Sequence, residues 1–215
     1  MTTVVASTLA LSAADAAAIT PRAEFRVFGH GIISELQPRL WNGRTVLSQA
    51  RRLPAETYFL SRHTQAANVK VRDGLLDIKL KISDTPEGYE VFQPKGKFQF
   101  PVTADQVGSI AARLHVTLPE SIALTDGVTF DAFLAMAQRH PDLVPVHVEK
   151  MRWGFTIDGV ICEYAHVWFN GALVESACVE SANYAAMRSV IEELGLTSRP
   201  NVNYLLAAAR IVGLQ

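Results

Sequence analysis

The sequence predicts an α+β protein whose antiparallel strands close into a barrel-like sheet with helices packed outside it. Three observations predict this. Strand-like alternation is broken by Asp73-Gly74, Asp158-Gly159 and Asn170-Gly171, dipeptides that tolerate the positive φ needed at both positions of a two-residue hairpin turn. On the ribbons so defined, ionic side chains gather on one face and large apolar ones on the other, in both halves of the chain. Helical patterns with capping signals accompany the strands in each half.

With 215 residues the chain can bury a large core, and a single domain over 23–215 is expected behind a leader or short helix over 1–22. That leader has an apolar run but no basic start, and Asp15 falls where a signal-cleavage region would lie. Hydrophobic residues make up 49% and the formal net charge is -1, which argues against disorder and against a generally basic nucleic-acid binder. No apolar run reaches the roughly 20 residues that a membrane helix needs. A soluble, cytoplasmic protein is the expectation, with Cys162 and Cys178 as free thiols because the strand register puts them on opposite faces of one sheet.

In chain order, strands are expected at Ala23 to Phe28, Thr57 to Leu60, Asn68 to Arg72, Leu75 to Ile82 and Tyr89 to Gln93, with a short one at Lys97 to Phe100. A helix follows Gly31 to about Pro38. Another starts at Thr103 with a Thr-x-x-Gln capping box and runs to about Leu114; a third covers Phe130 to Gln138. The turns at Asp158-Gly159 and Asn170-Gly171 join three long strands into a meander. Ser181 is the expected cap of a helix ending at Gly195, and a last helix covers about Val202 to Val212.

Opposed residues of an antiparallel pair point to the same side, so the faces follow by counting. In the first hairpin Asn68, Lys70, Arg72, Asp77, Lys79 and Lys81 share one face, and Val69, Val71, Leu76, Ile78, Leu80 and Ile82 the other. In the meander Lys150, Arg152, Glu163, Cys178 and Glu180 share one face. Met151, Trp153, Phe155, Cys162, Tyr164, His166, Trp168 and Glu175 share the opposite face, which needs cover by helices such as Ser181 to Leu194. Two such sheets closing with their ionic sides inward enclose a hydrated, charged channel. Unpartnered buried cations cost several kcal/mol each, so the channel must stay wet or hold a polyanion.

In these features the chain resembles the CYTH, or triphosphate tunnel, superfamily. The residues that carry the resemblance are Glu24-Phe25-Arg26-Val27-Phe28, the NVKVRDGLLDIKLK hairpin, the VEKMRWGFTIDGVICEY strand pair, the ESACVES strand, the NYAAMRSVIEELGL helix and the tail around Asn203 to Leu206. The resemblance implies an eight-stranded antiparallel tunnel that binds a triphosphate together with Mg2+ or Mn2+. Arg26, Lys70, Arg72, Lys79, Lys81, Lys150 and Arg152 become the expected phosphate ligands, with Lys97 a weaker match. Glu24, Glu163 and Glu180 become the expected metal ligands, with Asp77 either helping or pairing with Lys70. The chain departs from the family's Glu-x-Glu-x-Lys first strand: Arg26 replaces the second Glu, Phe28 the Lys, and Cys178 stands where a late Glu would, a poor partner for Mg2+.

The function expected is binding of a triphosphate, nucleotide or polyphosphate anion with metal-dependent hydrolysis; the alternative is a non-catalytic anion-binding module with an eroded metal site. A third reading makes the charged face a protein interface. His166, Trp153 and Trp168 are expected to pack beneath a helix, and His30 to be a loop residue. The sequence lacks a Gly-rich phosphate loop, HExxH, Cys-x-x-Cys and Gly-x-Ser-x-Gly. Nothing in the composition favours a nucleic-acid partner, an RNA 5′-triphosphate end being the exception a cationic channel could admit.

Overall fold

A computed structural model describes residues 12, 14, 15, 18–40, 43–119 and 127–214, with the backbone alone for 47–54. Most of the expected leader lies outside the described residues. Eight strands close into one antiparallel barrel: β1 (Arg22–Gly29), β2 (Thr45–Ser61), β3 (Ala67–Arg72), β4 (Leu75–Asp84), β5 (Glu90–Gln99), β6 (Leu143–Ile157), β7 (Val160–Phe169) and β8 (Ala172–Ser181), in the spatial order β1-β5-β4-β3-β2-β6-β7-β8. The helices are α1 (Ile32–Leu36), α2 (Ala104–Leu114), α3 (Phe130–Arg139), α4 (Tyr184–Glu193) and α5 (Tyr204–Ile211). None of them is long and apolar enough to cross a membrane.

The Asx-Gly turns set the register as counted. Asp73, Asp158 and Asn170 have φ of 53°, 47° and 47°, each followed by a Gly at positive φ. Lys70 then opposes Asp77, Arg152 opposes Ala165, and Glu163 opposes Cys178. Two strands are longer than the alternation suggested. β2 runs back to Thr45, and two register shifts against β6 break its period; β5 is continuous through Pro94, beside shifts in its pairing with β4.

Outside the barrel, α1 and α4 cover Phe25, Val27, Phe155, Cys162 and Tyr164, while α2 and α3 cover Phe59, Val69, Val71, Leu76 and Ile78. His166 and Trp168 stay half-buried beside this cover and stack edge to face. The cap of α2 is the expected Thr103-Gln106 box. That of α4 is Asn183 rather than Ser181, because Ser181 still belongs to β8, where it pairs with Ala23.

The last helix, α5, is placed differently from the rest. It packs on Tyr58, Val146, Val148, Ala165, Val167 and Phe169, which the register puts on the barrel's inner side with Lys70, Lys150 and Arg152. Its sequence YLLAAARI is apolar nearly all round, with Ala207, Ala208 and Ala209 buried, as a helix inserted into a core must be. The interior is therefore part aliphatic plug and part ionic cavity.

Candidate anion-binding cavity

The remaining interior is a cavity of about 470 Å³. Each strand delivers its share because inward positions recur at every second residue. β1 contributes Glu24 and Arg26, β3 Asn68, Lys70 and Arg72, β4 Lys79, β6 Lys150 and Arg152, β7 Glu163, and β8 Cys178 and Glu180. Tyr58, Asn203 and Tyr204 complete the lining toward the plug. The ionic face is thus turned inward, which removes it as an outer interface.

At the plug end a single carboxylate serves several cations. Glu56 Oε2 accepts from Lys150 Nζ at 2.8 Å and from Lys70 Nζ at 3.1 Å, and Arg72 stands 3.8 Å from Oε1. Both ammoniums also reach Tyr58 Oη, at 3.0 and 3.3 Å, and Lys150 Nζ sits 4.2 Å from the centre of the Tyr204 ring. Burial would raise the Glu56 carboxyl, but Lys70 and Lys150 overcome it and hold it at about 2. Burial, then the like charge of Lys70, lowers Lys150 to about 7 against the pull of Glu56. Burial likewise lowers Lys70. Lys70, Lys150 and Arg72 here share two carboxylates, Glu56 and Asp77. Asp77 engages Arg72 at 2.9 Å rather than Lys70.

On the β1–β7 side, Arg26 is 6% exposed and bonds Glu24 at 2.8 Å, Glu163 at 3.1 Å and Ser176 at 3.2 Å. Arg152 closes on the other oxygen of Glu163, and Glu180 pairs with Arg22 at 3.2 Å. Lys79 lines the cavity without an ion-pair partner among the described residues. Tyr204 Oη and Asn68 Oδ1 are buried there with no hydrogen-bond partner among the described residues.

Of the expected phosphate ligands, Arg26, Lys70, Arg72, Lys79, Lys150 and Arg152 share this cavity. Lys81 does not line it. A shift in the β4–β5 pairing beside it leaves Lys81 bonded to Asp84 at 2.8 Å and Glu90 at 3.1 Å. Glu90 is in turn held by Asn203. Sequence reading missed Glu56, Tyr58 and Tyr204. The spacing Glu56-Tyr58-Leu60 was the available signal for the first two, an inward period of two just beyond Pro54.

The expected metal ligands Glu24, Glu163 and Glu180 also line the cavity, but they do not fit a divalent ion as they stand. Each is engaged by a guanidinium, and no group of three metal-ligating side chains comes together among the described residues. Cys178, opposite Arg26, is a buried thiol whose pKa burial pushes well above its ordinary value, so it does not replace a carboxylate. Cys162 is free and buried on the other face, its thiol raised by burial to about 12.

No family model matches the chain, and no curated protein matches it. Among solved structures it is similar to an adenylyl-cyclase candidate from Hippeastrum with a dominant triphosphatase activity, at 13% identity and TM-score 0.49 over 91% of this chain and 96% of that one. It is also similar to an adenylate-cyclase candidate from Bacillus halodurans, at 13% identity and TM-score 0.43 over 87% and 97%. A conserved hypothetical protein from Pyrococcus furiosus gives 13% and 0.48 over 85% and 98%. Likenesses this distant transfer neither ligand nor chemistry. The architecture stands on the barrel's own strand order and register.

Proposed function

We propose that the barrel binds a triphosphate- or polyphosphate-type anion in this cavity. The observation that carries the reading is the excess of cations over carboxylates at this end: Lys70, Lys150 and Arg72 share Glu56 and Asp77, and Lys79 nearby has no ion-pair partner among the described residues. An anion with several oxygens would neutralise these groups together, and Arg72 and Arg152 offer forked donors for it. Tyr204 Oη supplies a donor that has no partner among the described residues. A cavity of about 470 Å³ has room for such a ligand with part of its hydration.

The second reading is hydrolysis of that anion with a divalent ion, favoured by the placement of Glu24, Glu163 and Glu180 on the same cavity wall. With the guanidiniums on these carboxylates, binding without turnover is the better-supported state. Thermal unfolding with tripolyphosphate and nucleoside triphosphates, alongside phosphate release with and without Mg2+ or Mn2+, tests both. Stabilisation without release is the expected outcome. Metal-dependent release would establish the hydrolytic reading, and an absence of both would defeat the proposal.

A further inference from the structure

Arg26 sits at the junction of two carboxylates and an aromatic face. Its Nε donates to Glu24 Oε1 at 2.8 Å, and Nη1 donates to Glu163 Oε1 at 3.1 Å and Ser176 Oγ at 3.2 Å. The guanidinium carbon lies 4.6 Å from the centre of the Tyr204 ring. The backbone holds the site as rigidly as the side chains do, since Arg26 N donates to Asn201 Oδ1 at 2.9 Å and Arg26 O accepts from Val202 N at 2.7 Å. A guanidinium does not lose its charge in a protein, so a positive centre is permanently fixed between these two carboxylates. A divalent cation seeking the same oxygens would have to displace it or sit beside it against like charge. Arg152 and Arg22, on Glu163 and Glu180, extend the same occupancy along the wall.

We infer that Arg26 is a built-in counter-cation standing between Glu24 and Glu163, so that the cavity takes its polyanion free of metal rather than as a magnesium or manganese complex. The ligand named here rests on the phosphate reading above; the claim about Arg26 rests on the ion pairs alone. A metal-complexed polyphosphate has part of its charge already neutralised and carries the ion's water shell. It therefore gains less from Lys70, Lys79 and Lys150 and meets Arg26 as a like charge.

The test has two arms. Mn2+ is titrated into the wild-type protein and into Arg26→Ala without any anion, with free Mn2+ followed by electron paramagnetic resonance. Tripolyphosphate is titrated calorimetrically into the wild type, first with EDTA and then with Mg2+ in excess over the anion. The expected results are negligible Mn2+ uptake by the wild type and uptake tighter by about tenfold or more in Arg26→Ala, where Glu24 and one oxygen of Glu163 are released. Tripolyphosphate is expected to bind in EDTA and to lose about tenfold or more in apparent affinity when Mg2+ is in excess.

Mn2+ uptake by the wild type that Glu24→Gln abolishes, or anion binding that requires Mg2+, overturns the inference. Should the anion bind under neither condition, the phosphate reading falls, and the Mn2+ arm still decides the role of Arg26. If near-ultraviolet circular dichroism shows Arg26→Ala unfolded, Mn2+ uptake by the wild type, present or absent, decides it without the variant.

Discussion

Glu56 is a residue on which two pH dependences of the same sign meet, in separate windows. It is almost wholly buried, and its neighbours Lys70 and Lys150 are buried with it. Removing one partner of a buried pair costs about 3–5 kcal/mol, because the other charge is left alone. Glu56→Gln is therefore expected to lose stability of that order by urea unfolding at pH 6, and less at pH 9, where Lys150 sheds its proton. Lys150 itself is lowered to about 7 in the folded protein. Between about 7 and the ordinary lysine value, the unfolded chain holds a proton that the folded chain has released. Unfolding then takes up a proton, so this group's contribution to stability rises with pH across the window. Lys150→Met should remove the rise, and urea midpoints with the same slope between pH 7 and pH 9.5 in both proteins would contradict the assignment. Glu56 acts with the same sign in a lower window. Its carboxyl, held at about 2, contributes stability above the ordinary carboxylate value that is lost as pH falls toward 2. None of this was legible in the sequence, because Glu56 lies beyond a break in alternation at Pro54 and its partners come from β3 and β6.

Among the elements, those punctuated by local chemistry were the readable ones. Asp73-Gly74, Asp158-Gly159 and Asn170-Gly171 specify their own turns, and a two-residue turn leaves no freedom of register, so the facing of Lys70, Arg152 and Glu163 followed by counting. Bulged strands were harder: β2 shifts register twice against β6, and each shift resets the period that a reader relies on. The position of α5 inside the barrel is set by long-range packing of Tyr204 on Tyr58, Phe28 and Phe169, though its all-round apolar sequence hinted at it. Asn203 anchors this helix, accepting from Leu206 N at 2.9 Å while its amide donates to Glu90. Asn203→Ala should cost about 1–2 kcal/mol, the range for a lost N-cap, read from chemical unfolding. Tyr204→Phe separates packing from binding. Its hydroxyl has no partner among the described residues, so stability without ligand should change little, whereas stabilisation by tripolyphosphate should weaken.

For the whole molecule, the closed barrel solves a conflict written into the composition. Net charge is near neutral, yet cations are concentrated on inward strand positions, where water is scarce and each charge needs a counter-charge. Closure removes sheet edges, the outer helices cover both apolar flanks, and α5 fills part of the lumen, leaving the ionic part as one cavity. A ligand that binds only the folded state stabilises it in proportion to the logarithm of its concentration once binding saturates. The most direct test is the thermal midpoint of the wild type and of Lys79→Ala as tripolyphosphate is raised at constant ionic strength in EDTA. The account predicts a midpoint that climbs with anion concentration in the wild type and a clearly weaker climb in the variant. A wild-type midpoint that moves no further than with sodium chloride of equal ionic strength would contradict it.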